Sequence, residues 1–478
     1  MKHFKTHKSQ EDYGDYIKRN LYNKDVRYPR IDLIRDPIHC NYLEEPECNF
    51  QNSDYLQLIA ETGGNIIITI PKGISLHNAQ QISYSKDKKR WKTIILSNSD
   101  LVIDIPMKEN EVVFIKGVAA CFSSFGEDTN WAYVSLNING SCKMHAAGNI
   151  MSLLYNDDFA DKLRIPYDNE YGQGHNFFEM FKNNTNLISA DNLILPATTL
   201  TTYCYGSMFE GCSSLRAIPK LPATTLTAGC YDHMFKGCTS LVNPPILPAT
   251  TLADNCYCGM FMGCKKLNST PNLPVTTLTN YCYSYMFQGC IKLTAAPELP
   301  ATTLADYCYQ GMFAGCTSLT QSPELPATTL AQYCYYGMFN ACTSLTQAPE
   351  LPATTLALGC YENMFLACIK LTTASELPAT TLAQSCYFGM FKECSKITTA
   401  PELPATTLVQ NCYREMFSGC RNLNYIKMLA TNISATDCLA RWVRNVAASG
   451  TFIKDANTTI PTGTSGIPSG WTVQTASE

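Results

Sequence analysis

Leu299-Pro300-Ala301-Thr302-Thr303-Leu304-Ala305-Asp306-Tyr307-Cys308-Tyr309-Gln310-Gly311-Met312-Phe313-Ala314-Gly315-Cys316-Thr317-Ser318-Leu319 is one copy of a stretch that recurs nine times at a spacing of 26 residues. Pro297 and Pro300 bracket its start. Prolines this dense exclude a helix interior and suit extended or turn backbone. Further on, Cys308, Met312 and Cys316 fall at i, i+4 and i+8, and Tyr309 and Phe313 form a second i, i+4 pair. That spacing predicts an apolar helical stripe of about three turns, with Gly315 as its stop. One short extended stretch and one short helix cannot bury an apolar face alone, so the copies must stack on one another. The expected fold over residues 204–425 is an α/β leucine-rich-repeat solenoid of nine 26-residue units, a period within the range of such repeats.

The cysteines follow the same frame. Of 24, 18 belong to the repeat frame, from Cys204 to Cys412 in steps of 26 and again eight residues later, from Cys212 to Cys420. Zinc sites use closer Cys spacings with further Cys or His nearby, and His233 is the one histidine of the nine units, so no metal ligation is expected. Parallel side chains in a stack do not suit the S–S torsion either. Buried free thiols are the expectation.

Both flanks of the repeats look like caps. His175-Asn176-Phe177-Phe178-Glu179-Met180-Phe181-Lys182-Asn183-Asn184 matches the Cys-Tyr-x-x-Met-Phe-x-x-Cys stretch with Asn in place of both cysteines. Residues 148–203 are therefore expected to hold a linker and an N-terminal cap with a degenerate unit. In 426–478, Leu439, Trp442, Val443 and Val446 share one face of an expected helix, and extended segments follow at Thr451–Lys454 and Trp471–Gln474; this is the expected C-terminal cap.

Ahead of the repeats, residues 51–147 alternate short apolar runs with turn residues. Seven strands are expected: Tyr55–Ala60, Asn65–Ile70, Gln81–Ser85, Trp91–Leu96, Leu101–Ile105, Val112–Lys116 and Trp131–Ile138. They suggest a small all-β, immunoglobulin-like sandwich. The basic run Lys86 to Arg90 falls at an expected hairpin tip. Residues 1–50 are polar and aromatic with scattered prolines and read as an extended arm.

Charged residues make up only 16% of the chain and the net charge is −4, so neither nucleic acid nor an anionic membrane is an expected partner. No apolar run is long enough to span a bilayer, and no secretory leader is recognisable after Met1. No phosphate loop, dinucleotide fingerprint, zincin or nucleophile-elbow motif occurs in a suitable context. No catalytic residue, cofactor or metal is expected, and His175 and His233 read as isolated.

Comparison of the units separates a constant frame from variable positions. The two residues after each Cys-Tyr change freely, and on a helix they would lie off the buried stripe. Exposed positions drift at little cost to stability. They can also carry recognition, with aromatic and charged side chains as contacts. The candidate binding strip is Asp232, His233, Tyr285, Gln310, Tyr336, Glu362, Phe388 and Arg414.

The repeat frame of Leu-Pro and Met-Phe-x-x-Cys resembles BspA-type leucine-rich repeats. The Leu-Pro-Ala-Thr-Thr-Leu form, with Ile82-Ser-Tyr-Ser85, Gly148 to Tyr155 and Gly466 to Val473, is similar to proteins of gut Bacteroidetes and their phages, including crAss-like phages. Phe4, His7, Tyr13, Tyr16, His39 and Tyr42 resemble the opening arm of phage appendage proteins. The resemblance implies a virion structural protein, a head or tail appendage assembled in the host cytoplasm. Its arm would dock on other virion proteins, and its repeats would contact a host-surface glycan or protein. Homo-oligomerisation is expected. The alternative is a BspA-type adhesin on the bacterial cell surface.

Overall fold

The computed structural model describes residues 51–72, 79–97, 99–119, 123–125, 133–166 and 175–476, which belong to one unit, Asn49–Glu478. The arm, with Phe4, His7, Tyr13, Tyr16, His39 and Tyr42, lies outside the described residues.

Alternation of apolar side chains builds the N-terminal sheets. In β1 (Leu56–Ala60), β2 (Gly64–Ile70) and β5 (Leu101–Met107), the residues Leu56, Leu58 and Ala60, Ile66, Ile68 and Ile70, and Ile103, Ile105 and Met107 are buried at every second position. The remaining strands here are β3 (Ala79–Ser85), β4 (Lys92–Ile95), β6 (Val112–Ala119), β7 (Ser123–Phe125), β8 (Tyr133–Ser135), β9 (Asn137–Gly140), β10 (Met144–Asn149) and β11 (Leu187–Ile194). They form a six-stranded sheet in the order β11-β10-β1-β6-β3-β4, a three-stranded sheet β5-β2-β9 and the pair β7-β8. The β3–β4 hairpin is organised by Asp87, which accepts from the Ser85 hydroxyl and from the backbone N–H groups of Lys89 and Arg90. Those donors and the Arg90 guanidinium hold the Asp87 carboxyl well below the usual range.

The strand expectations missed β7, β10 and β11. β10 is Ala- and Gly-containing with five of its six residues buried, so it shows neither β-propensity nor alternation. It pairs in parallel with β11, whose start follows the Phe177-to-Asn184 stretch. A parallel pair departs from the all-antiparallel order of an immunoglobulin-like sandwich.

The repeats carry one correction of substance. No α-helix occurs in them among the described residues; the sole described helix is α1 (Ser152–Tyr155). The Cys-Tyr-x-x-Met-Phe-x-x-Cys segment is a run of tight turns. In one unit, Cys308, Gln310, Met312, Ala314 and Cys316 each donate their N–H to the carbonyl three residues back. The alternate residues Tyr307, Tyr309, Gly311, Phe313 and Gly315 donate instead to the next unit, to the carbonyls of Gln332, Cys334, Tyr336, Met338 and Asn340 at 2.7–3.0 Å. Every N–H of the run is thereby satisfied without a helix. The device that bends the chain is a left-handed residue every fourth position, here Tyr307, Gly311 and Gly315 with φ of 57°, 56° and 73°. An apolar spacing of four fits this turn period and a helix alike over so short a run, which is why the spacing misled.

Stacking fixes the frame. Tyr205 and its equivalents through Tyr413 form one buried column with ring centroids 5.7–6.1 Å apart. Phe209 and its equivalents through Phe417 form a second, at 5.5–5.9 Å. Phe177 and Phe181 continue the two columns at one end, and Trp442 packs against both at the other. At the same end, β12 (Tyr425–Met428), β13 (Thr451–Lys454) and β14 (Thr472–Thr475) form a parallel sheet. The segment carrying Leu439, Trp442 and Val443 is again a run of turns, with those three residues buried.

All 21 described cysteines are unpaired. The second thiol of each unit has a defined partner. Cys316, for example, donates to the Phe287 carbonyl of the preceding unit at 3.1 Å, while the same carbonyl accepts the Cys290 N–H. Burial pushes the thiols of Cys204, Cys282 and Cys316 up to about 12, so they stay protonated and unreactive at neutral pH.

Candidate recognition surface

Each unit contributes three adjacent variable positions to the stack: the residue before the first Cys and the two after the Tyr. The first and third are left-handed. At the first position the chain carries Tyr203, Gly229, Asn255, Tyr281, Tyr307, Tyr333, Gly359, Ser385 and Asn411. At the third it carries Ser207, His233, Gly259, Tyr285, Gly311, Gly337, Asn363, Gly389 and Glu415. Gly and Asn suit this backbone, whereas a bulky side chain costs about 1 kcal/mol or more there.

Four tyrosines nevertheless occupy such positions in three consecutive units. Tyr281, Tyr307 and Tyr333 stack in a ladder with centroids 4.7 and 4.9 Å apart. Tyr285 joins them at the third position with φ of 55°. Tyr336 stands edge-on to Tyr333 at 6.1 Å. All five are half-buried. The bulk is accommodated by glycine in the following unit: the Tyr285 ring lies over Gly311 and the Tyr333 ring over Gly359, so close that a Cβ there would come within 2.5 and 2.2 Å of a ring carbon.

The eight residues of the expected strip lie on successive stacked units, and their side-chain contacts fall into three groups. Tyr285, Gln310, Tyr336 and Glu362 belong to the tyrosine cluster. Gln310 accepts from the Ser284 hydroxyl at 3.2 Å. Glu362 has no hydrogen bond or ion pair to its carboxylate among the described residues, and burial pushes its carboxyl up to about 7. Phe388 and Arg414 form a second group, with the guanidinium 5.7 Å from the ring and bound to Asp437 at 2.8 Å. Asp232 and His233 form the third. His233 is not isolated as its sequence position implied: its Nδ1 lies 2.8 Å from the Asp232 carboxylate, and Cys258 of the next unit lies beside both. The expectation that all these side chains face solvent also needs correction. Each is half-buried.

Comparison of the two residues after Cys-Tyr overlooked Tyr281, Tyr307 and Tyr333, which precede the first Cys. The available signal was the company they keep: apart from Tyr203, Gly, Asn and Ser fill that column elsewhere, the residues of a left-handed turn position.

A family model described as the BspA type leucine-rich repeat region matches in six copies over residues 178–294, 256–371 and 310–438. The matched stretches span more than half of the 478 residues. The chain belongs to the BspA-type leucine-rich-repeat family. Comparisons with curated proteins and with solved structures gave no match. Within this BspA-type chain, the matched residues include the whole tyrosine cluster and all eight residues of the expected strip.

Proposed function

We propose that this BspA-type chain is a non-enzymatic adhesion protein whose tyrosine cluster, with Gln310 and Glu362, binds a glycan or protein on a host surface. The observation that carries this is the placement of four tyrosines at left-handed positions where glycine would relieve strain. Bulky residues held in costly backbone conformations concentrate at functional sites. Tyrosine also supplies large amphipathic contact area at low entropic cost, and its hydroxyl offers a polar edge. The proposed fold context is a solenoid of nine units over residues 204–425, capped by 148–203 and 426–478, with an immunoglobulin-like sandwich over 51–147.

A phage virion appendage is the favoured setting, supported by the sequence resemblance and by buried unpaired thiols, which suit folding in a reducing cytoplasm. In that setting the 1–50 arm docks on other virion proteins, the chain self-associates, and it neither binds nucleic acid nor inserts into membrane. No helix among the described residues is long and apolar enough to cross a membrane. A bacterial cell-surface adhesin is the second setting, and membership of the BspA-type family favours it. Peptide mapping of purified virions and of prophage-free cells separates the two: the virion setting predicts the chain in particles, and its presence on cells lacking any phage would refute that setting. Adhesion is tested separately, by retention of the purified chain on host cells. Loss of retention in Tyr307→Gly and Tyr336→Ala is expected, and undiminished retention in both would overturn the assignment to this cluster.

A further inference from the structure

We infer that Asp232, His233 and Cys258 form a zinc-binding site bridging two consecutive repeat units. This inference is independent of the adhesion proposal. One ligand atom from each of the three lies within 4.8 Å of the other two. Asp232 and His233 come from one unit and Cys258 from the next, held together by the His233 N–H donating to the Cys258 carbonyl at 2.8 Å.

Two departures from the repeat frame coincide here. His233 is the one histidine in the nine units, and Cys258 is the one cysteine in them outside the 18 of the frame. The 26-residue register places these two exceptions in contact, with a carboxylate between them. Drift would have no reason to bring them together.

The donor chemistry suits zinc. A thiolate, an imidazole and a carboxylate are its three protein ligand types, and three protein ligands leave the fourth tetrahedral position for water. Lys182, Lys236 and Glu210 form their own ion-paired group, with Lys236 bound to Glu210 at 2.9 Å, so no cation need occupy the triad. The frame cysteines do not compete. They are fully buried, and the second of each pair is already committed to a carbonyl.

The site is tested on the full reduced chain by titration with cobalt(II), read through the thiolate-to-cobalt charge-transfer absorption, and by displacement with zinc. One equivalent is expected to develop this band and zinc to abolish it. Cys258→Ser should remove the band, and His233→Asn should weaken cobalt binding by more than about tenfold, the loss typical even of outer partners of a metal. Both substitutions are compatible with folding, since Ser284 and Asn363 occupy the equivalent positions in other units. Absence of the band in the parent chain, or a band unchanged in Cys258→Ser, would overturn the site. Unchanged cobalt affinity in His233→Asn would do the same.

Discussion

At the scale of single residues, the left-handed positions decide what each side chain can do. Gly311 has φ of 56°, and a Cβ there would meet the Tyr285 ring at 2.5 Å. Gly311→Ala is therefore expected to destabilise the chain by about 1–2 kcal/mol in chemical denaturation. Tyr285→Gly removes a strained residue at a position where other units carry glycine, and its stability should change by less than about 1 kcal/mol. Glu362 offers a pH test. Its carboxyl ionises near 7 in the folded chain and at the ordinary carboxylate value near 4.5 in the unfolded one. Below 4.5 both states are neutral; between 4.5 and 7 only the unfolded chain loses the proton, so stability falls as pH rises and levels off above 7. Glu362→Gln should leave the melting temperature unchanged at pH 4 and stabilise the chain at pH 8 by about 1 kcal/mol, allowing for screening of a half-exposed carboxyl. An equal effect at both pH values would contradict the assignment.

At the scale of the element, the repeat shows what its sequence disclosed and what it concealed. Leu, Cys, Met and Phe at fixed offsets named the buried residues correctly, because burial depends on side-chain character. Their i, i+4 spacing did not name the backbone, because three recurrences at four residues are shared by helices and by successive turns. Gly, Asn and Ser at 229, 255 and 385, and Gly at 211, 237, 263, 289 and 315, carried the missing information, since a left-handed residue every fourth position ends any helix. The strand β10 was hidden for the opposite reason: burial on both faces erased its alternation. The frame thiols make the element pH-sensitive. With folded values near 12 against an ordinary 9, stability is intact below pH 9 and is lost progressively toward 12, as only the unfolded chain ionises. Melting temperatures measured from pH 8 to 11 should fall steeply above 9, and replacement of Cys308 and Cys316 by alanine should lessen the slope.

At the scale of the whole molecule, two aromatic columns run through the repeats and must be closed at each end. Phe177 and Phe181 do this on one side, and Trp442 does it on the other, with its indole N–H bound to the Gly466 carbonyl at 2.8 Å. Trp442→Ala is expected to cost about 3–5 kcal/mol and to promote end-to-end association seen by light scattering. Phe177 and Phe181 were legible as members of the columns because the 175–184 stretch repeats the frame in altered form. The tyrosine cluster was only half legible, since its ladder arises from residues 26 apart that touch only through the stack. A fixed frame supplies the fold, and the cluster is the proposed recognition site. The most direct test measures melting temperature and host-cell binding together for Tyr307→Gly. The melting temperature should stay within a few degrees of the parent while binding weakens at least about tenfold, the loss of one central aromatic contact. Undiminished binding, or a loss of binding that merely follows a collapse in stability, would contradict the division between frame and recognition site.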